Sequence, residues 1–178
     1  KIKNKLRTIQ PVNMDSNSFP VLVTNVGVSS NDNDISVELN KAQVAIEAGA
    51  NIISDLSLVP NPADIQKRYM DMIDVPFSNV AIYETFCNGL FSMKNPNPEQ
   101  HIIDFEEQAK RGIDLITIHA TAFKEDMELI EASKRLIPTT SRGGAMVLRN
   151  MYQGGYENPY YVYFDDILFD ANEYELFL

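Results

Sequence analysis

The stretch "DISVELNKAQVAIEAGANIISDLS" (34–57) decides the fold, because it contains one helix and one strand of a pattern that the rest of the chain repeats. Its apolar residues first recur at helical spacing, with Asp34 placed to cap the helix and Gly49 placed to end it. The run 51–57 then loses that helical spacing and places Ile52 beside Ile53, which predicts a short buried strand. Such a stretch is typical of one helix–strand unit of a parallel sheet.

The same alternation continues along the chain from residue 20 onward, after a polar, irregular lead-in over 1–19. We predict five strands and the opening of a sixth, at 20–27, 51–57, 80–84, 114–120, 137–141 and 175–178. We predict the later helices at 61–73, 97–112, 124–136 and 160–174, with a short helix after Gly144. Asn61 and Asn97 each precede a proline, a pattern that starts a helix.

Polar residues close or follow the predicted strands: Asn25, Asp55, Ser57, Tyr83, Glu84, His119, Ser141 and Arg142. The carboxyl ends of parallel strands lie at one edge, so polar groups after every strand favour a barrel with its site on that face. A doubly wound sheet would instead carry G-x-G-x-x-G after its first strand, where this chain has "NVGVSSND" (25–32). We therefore expect an α/β fold based on a parallel (β/α)8 TIM-type barrel.

The length of the chain fits only part of such a barrel. A complete one takes about 250 residues, whereas this chain has 178. We expect an incomplete barrel of about five to six βα units, forming one domain over 20–178 that represents the N-terminal portion of the barrel. Three explanations stay open: a fragment, the ordered part of a longer protein, or a partial barrel that another chain completes. An open sheet edge promotes association, so we expect a homo-oligomer such as a dimer.

The composition excludes several classes of partner. Net charge is −10, from 15 Lys+Arg against 25 Asp+Glu, which argues against a nucleic-acid or anionic-membrane surface. No apolar run approaches the roughly 18 residues of a membrane span, and no signal peptide is visible, although the sequence begins at Lys1. The single cysteine, Cys87, fits a reduced protein with one structural thiol. We expect a cytoplasmic protein without a metal site of its own in this segment.

The stretch "TTSRGGA" (139–145) is the strongest local chemical pattern. Its hydroxyls and guanidinium can donate hydrogen bonds, its glycines expose backbone N–H groups, and a helix start would add a positive dipole. Together these favour a bound phosphate. The structural alternative is a tight turn in which the glycines supply backbone freedom and Arg142 pairs with an acidic neighbour.

Four other residues have a functional and a structural interpretation each. His119 could contact a ligand or form a polar end to its strand, and Asp55 could orient a ligand or cap the next turn. Asn25 could bind a ligand heteroatom or form a turn, and Tyr83 could stack on a flat ring or pack in the core. Their shared placement at strand ends favours the functional interpretation of the set.

In order, these motifs resemble those of the phosphomethylpyrimidine synthase family, radical enzymes that make the thiamine pyrimidine. The matching segments are Asn25-Val26-Gly27-Val28-Ser29, "GANIISDLS" (49–57), "VAIYE" (80–84), "TIHA" (117–120) and "SRGG" (141–144). Their order, spacing and placement on the predicted strands agree with the family pattern from about residue 20 to the end of the sequence.

The resemblance implies a (β/α)8 barrel that binds 5-aminoimidazole ribotide. It implies that Ser141, Arg142 and Gly143 hold the phosphate of this ligand, and that Asn25, Ser54, Tyr83 and His119 line the rest. It further implies S-adenosylmethionine and a [4Fe–4S] cluster as cofactors. The cluster cysteines of the family, and the histidines that would hold zinc, would lie beyond Leu178.

The sequence also departs from the family pattern, and other functions therefore stay open. Leu58-Val59 replaces a Gly-Gly pair, and Ala81, Glu84 and Thr121 replace Pro, Gln and Gly. One alternative is a hydroxybenzimidazole synthase-like enzyme of anaerobic cobamide biosynthesis, which acts on the same ribotide. Another is a non-catalytic paralogue or subunit that binds the ribotide.

Overall fold

The computed structural model describes residues 1–14, 20–29, 31, 34–91 and 96–178. Residues 15–19 of the predicted lead-in lie outside that part of the chain. Within it the strands are β1 (Val23–Val26), β2 (Ile52–Asp55), β3 (Phe77–Val80) and β4 (Leu115–Thr117). The helices are α1 (Ile35–Glu47), α2 (Pro62–Met72), α3 (Ala81–Phe91), α4 (Pro98–Lys110), α5 (Asp126–Ala132), α6 (Arg142–Gly154), α7 (Pro159–Val162) and α8 (Phe164–Tyr174).

The four strands form one parallel sheet in the order β1-β2-β3-β4, so the predicted α/β class with a parallel sheet is confirmed. Neighbours in the sheet are also neighbours in sequence, joined by helices. Every residue of β2 and β3 is buried, including the polar Ser54, Asp55, Ser78 and Asn79, as expected for the central strands of a parallel sheet. The register pairs Asn25 with Ser54 and Val80 with Thr117, which brings the four carboxyl ends to one edge.

Local capping chemistry sets the ends of the helices. The side chains of Asp34 and Asn97 accept from backbone N–H groups in the first turns of α1 and α4, as predicted. Gly49 and Gly112 follow the helix ends with φ of 100° and 96°, a conformation that glycine adopts without strain. Asn61 precedes α2 as predicted, but its side chain donates to Asp64 and makes no cap bond.

The predicted third strand at 80–84 is wrong. The strand is β3, which ends at Val80, and residues 81–84 form the first turn of α3. The run "FSNVAIYETF" (77–86) stays mostly apolar across this boundary, and residues 77–85 are buried. Periodicity cannot separate a buried strand from a buried helix in such a run. Tyr83 and Glu84 therefore lie on a helix that begins where the strand ends.

The predicted fifth strand at 137–141 is also wrong. These residues form no strand, and Ile137 is 64% exposed. Pro138 has no N–H group to donate to a ladder. At the end of the chain, Phe177 makes an isolated parallel bridge to Leu115, so the predicted sixth strand 175–178 pairs by one bridge directly beside β4.

Three predicted helices differ in extent. The helix predicted at 124–136 is α5, which is shorter than predicted. The short helix predicted after Gly144 is α6, which has 13 residues and begins at Arg142. The helix at 160–174 is divided at Tyr163 into α7 and α8. None of the helices in the described ranges is both long and apolar enough to cross a membrane.

The N-terminal segment attaches to the amino ends of the strands. Ile2 is buried and pairs with Val12, and Asn4 donates from Nδ2 to the carbonyls of Ala109 and Ile113 at 2.9 and 3.1 Å. Arg7 forms a buried ion pair with Asp114. These contacts lie at the edge opposite to the predicted site.

Candidate functional site

The carboxyl edge of the sheet carries predicted site residues from five elements. Asn25 is near the end of β1, and Ser54 pairs with it from β2. Tyr83 lies in the first turn of α3, and His119 follows β4 by two residues. Ser141 is the N-cap of α6, which begins beside them.

The start of α6 has the chemistry of an anion site. Ser141 Oγ accepts from the N–H of Gly144 at 3.1 Å, which fixes the first turn. The first N–H groups of a helix have no partners within it, and the dipole of this 13-residue helix makes them attractive to a negative charge. Helix starts of this kind favour phosphates and other anions.

Gly143 and His119 are in direct contact. A Cβ on Gly143 would lie 2.3 to 2.8 Å from three atoms of the His119 ring, so no larger residue fits without moving that ring. His119 Nδ1 is buried and has no hydrogen-bond partner in the described part of the chain. Burial lowers the pKa of His119, which keeps the imidazole neutral and able to donate or accept.

Arg142 points away from this contact, toward Tyr83 and β2. Its Nε donates to Tyr83 Oη at 2.9 Å, and its guanidinium carbon lies 4.5 Å from the centroid of the Tyr83 ring. Its Nη2 donates to the carbonyl of Leu56 at 3.4 Å. Arg142 is exposed, and a guanidinium has five N–H donors, so donors remain for a ligand.

Two cavities at this edge are lined by some of the predicted residues, whereas Ser54, Tyr83 and Gly143 line neither of them. A cavity of about 500 Å³ is lined by His119, Ser141 and Gly144, together with Asp126 and Arg135. A second cavity of about 350 Å³ is lined by Asn25, Gly27, Glu38, Lys41 and Arg142. The N-terminal turn of α6 lies between them, since Ser141 lines one and Arg142 the other.

The turn after β1 is held rigidly at this edge. Gly27 approaches the backbone of Leu56 and Ser57 so closely that a Cβ would lie 2.8 Å from each. The N–H of Gly27 donates to Glu38 Oε2 at 2.9 Å, and Glu38 also pairs with Lys41. The motif Asn25 to Ser29 thus needs glycine for a steric reason.

Asp55 and Glu84 have structural partners. Asp55 Oδ1 accepts from both the N–H and the hydroxyl of Ser57, at 3.0 and 2.5 Å. Burial raises the pKa of Asp55 to about 6, in spite of these bonds. Glu84 pairs with Arg111, although burial raises its pKa.

His101, the other histidine, belongs to the core. It is fully buried, its Nδ1 lies 3.1 Å from the carbonyl of Asn97, and its ring packs edge-on against Tyr156 and Tyr160. Burial lowers the pKa of His101.

Sequence reasoning missed Asn158, which is fully buried and contacts the turn that carries His119. The Asn-Pro pair at 158–159 repeats the helix-start pattern at 61 and 97, and could have drawn attention to it. It also missed Glu38, which no motif distinguishes from an ordinary helix residue.

The residues present do not fit an iron–sulfur cluster. Such a cluster takes several cysteine thiolates, and Cys87 is the one cysteine of the sequence. Cys87 is buried, and burial raises the pKa of its thiol to about 11, which disfavours the thiolate. In the described ranges no three His, Cys, Asp or Glu side chains are grouped to hold a metal ion.

Comparison with known proteins places the chain in a family. A family model described as "Radical SAM ThiC family" matches residues 2–178. Among curated relatives, phosphomethylpyrimidine synthase of Thermotoga neapolitana is 33% identical over 99% of this chain and 42% of its own length. Phosphomethylpyrimidine synthase 2 of Methanothermobacter thermautotrophicus is 32% identical, over 97% and 41%. Phosphomethylpyrimidine synthase of Archaeoglobus fulgidus is 36% identical, over 85% and 36%.

The chain spans about two fifths of the length of these relatives. The match covers the segments that form the sheet, its carboxyl edge and the start of α6. The chain belongs to the radical SAM ThiC family.

Proposed function

We propose that this chain forms the ribotide-binding part of a phosphomethylpyrimidine synthase-like radical lyase, which converts 5-aminoimidazole ribotide to the thiamine pyrimidine. In this proposal the sheet is the N-terminal portion of a (β/α)8 barrel. Its sequential parallel strand order and the polar residues along one edge support that interpretation.

The observation that carries the proposal is the packing of His119 against the first turn of α6. Gly143 brings the imidazole against the helix start, where Ser141 provides the cap. A phosphate at the helix start would receive backbone N–H groups, and the neutral imidazole beside it would hydrogen-bond another polar part of the same ligand.

The remaining residues have roles that follow from their positions. Arg142 would hold the phosphate from the side of the second cavity, and Tyr83 would keep the guanidinium in place. Asn25 would contact the ribose or the imidazole from the end of β1. Ser54 is only 8% exposed and pairs with Asn25, so it would support that contact from behind.

S-Adenosylmethionine and an iron–sulfur cluster would supply radical chemistry when bound. The cysteines for the cluster would have to come from outside these 178 residues. What this chain contributes is the binding and orientation of the ribotide, and we derive no radical step for its residues.

Isothermal titration of the chain with 5-aminoimidazole ribotide and with its riboside tests the proposal. We expect the ribotide to bind at least about tenfold more tightly, because charge-assisted bonds to phosphate contribute roughly 1.5–3 kcal/mol each. Inorganic phosphate should compete with the ribotide. Equal affinities for the two ligands, or binding of neither, would contradict it.

A further inference from the structure

Asn158 has hydrogen-bond partners that helix capping does not require. Its Oδ1 accepts from the N–H of Tyr160 at 3.0 Å, which is the ordinary cap of α7. Its Nδ2 also donates to the carbonyls of His119 and Ala122, each at 2.8 Å. The Asn158 side chain is fully buried, and the two carbonyls that it contacts belong to partly buried residues.

The two carbonyls are the ends of one four-residue turn. Residues 119–122 lead out of β4, and His119 is the first of them. Because one side-chain amide donates to both carbonyls, it fixes the distance between the two ends of this turn. Glu157, the neighbour of Asn158, also bonds this region, because its carboxylate accepts from the N–H of Lys124 at 3.1 Å.

The same turn is confined on its other side by α6. The His119 ring lies against Gly143, at the distance where a Cβ would clash. The segment that connects α6 to α7 thus holds the backbone of His119, while the start of α6 holds its ring. Neither contact uses a hydrogen bond from the ring, whose Nδ1 has no partner among the described residues.

We propose that Asn158 is a positioning residue, whose two side-chain N–H bonds to the 119–122 turn set the His119 imidazole beside the start of α6 for ligand binding. This rests on the proposed function. The competing explanation is that Asn158 only caps α7.

Serine separates the two explanations. Asn158→Ser keeps an oxygen that can cap α7 but removes the two amide N–H groups that bond both ends of the turn. Asn97→Ser is the matched control, because Asn97 also precedes a proline and caps a helix, with its side chain accepting from Gln100 at 2.8 Å. Asn158→Thr is a second variant, which fills more of the space than serine, can also cap α7 and likewise lacks the two amide N–H groups.

The ring signals of the two histidines in the whole chain, followed by NMR, give a readout that does not depend on any ligand. We expect Asn158→Ser to shift or broaden the His119 signals. The His101 signals should stay as in wild type, because His101 packs against Tyr160 and reports on the α7 cap. Asn97→Ser should leave His119 unchanged.

Titration with 5-aminoimidazole ribotide completes the test. We expect Asn158→Ser to weaken binding about three- to tenfold, and Asn97→Ser to leave it unchanged. If Asn158→Ser disturbs folding, Asn158→Thr takes its place in both measurements. Wild-type His119 signals in a folded Asn158 variant would overturn the positioning role, as would joint shifts of His101 and His119. Failure of wild type to bind ribotide would overturn the proposed function, while the NMR comparison would still decide the role of Asn158 in placing His119.

Discussion

The guanidinium of Arg142 lies over the ring of Tyr83, with its carbon 4.5 Å from the ring centroid, and its Nε donates to Tyr83 Oη at 2.9 Å. An exposed arginine loses much side-chain entropy when it binds an anion. A side chain already held by a ring and a hydroxyl loses less, so in the proposed function Tyr83 would prepare Arg142 for the phosphate.

Tyr83→Phe should weaken ribotide binding about two- to tenfold, because it keeps the ring and removes the hydroxyl that accepts from Arg142. Tyr83→Leu should weaken it further, since it also removes the cation–π contact. Calorimetric titration measures both. Tyr152→Phe is the control, because Tyr152 is 69% exposed and lies away from Arg142. Unchanged affinity in Tyr83→Leu would show that this contact has no role in binding.

Gly143→Ala should destabilise the chain by about 1–3 kcal/mol, because overpacking forces the His119 ring to move. It should also weaken ribotide binding. Gly144→Ala should destabilise the chain less, because its Cβ would lie 3.1 Å from Ser141 Oγ and 3.8 Å from the His119 ring. Urea unfolding compares the two. The account is contradicted if Gly144→Ala proves the more harmful change.

The stability of the chain should depend on the ionisation of Asp55. Burial raises its folded pKa from 3.8 to about 6. Between these values the folded chain holds a proton that the unfolded chain has lost. The free energy of unfolding should therefore fall as pH rises through this interval, by at most about 3 kcal/mol.

Asp55→Asn should remove that fall, because asparagine stays neutral and keeps an oxygen for the two bonds from Ser57. The measurement is the difference in unfolding free energy between Asp55→Asn and wild type, from pH 4 to 7. This difference cancels the contributions of other titrating groups. We expect the variant to gain relative to wild type as pH rises, and a constant difference would be the opposing result.

The chain should self-associate at the open edge formed by β1. In the described structure β1 pairs only with β2, and Leu22 and Val23 are 55% and 52% exposed. An apolar edge strand with unpaired backbone groups promotes association. Sedimentation should show a species larger than 20.1 kDa, and Val23→Lys should reduce it. A wild-type chain that sediments as a monomer at all concentrations would rule this out.

Much of the fold follows from local chemistry. Asp34, Asn97, Gly49 and Gly112 mark helix ends through capping and backbone freedom, which depend on few neighbours. The boundary after Val80 could not be predicted, because burial on all sides removes the periodic contrast between strand and helix. The strand predicted at 137–141 failed for the opposite reason. Its apolar Ile137 suggested a buried strand, but this side chain is exposed.

The sequence predicts the positions of some candidate site residues, but it does not predict their contacts. His119 follows β4, as the sequence predicts, whereas Ser141 and Arg142 begin α6 and do not follow the predicted fifth strand. The separation of Ser141 and Arg142 into two cavities depends on how α6 is oriented, which only tertiary packing decides. Asn158 was missed because its bonds reach 36 and 39 residues back along the chain, a distance that no local pattern reports.

The central claim is that Arg142 and the start of α6 bind the phosphate of an imidazole ribotide. Its most direct test is calorimetric titration of wild type, Arg142→Ala and Arg142→Lys with 5-aminoimidazole ribotide and with its riboside. We predict that Arg142→Ala weakens ribotide binding about ten- to a hundredfold and scarcely affects the riboside, which lacks the phosphate. Arg142→Lys should recover only part of the loss, because an ammonium lacks the bidentate fork. Equal losses for ribotide and riboside would contradict the claim, and would mean that Arg142 supports the fold of this edge and does not hold the phosphate.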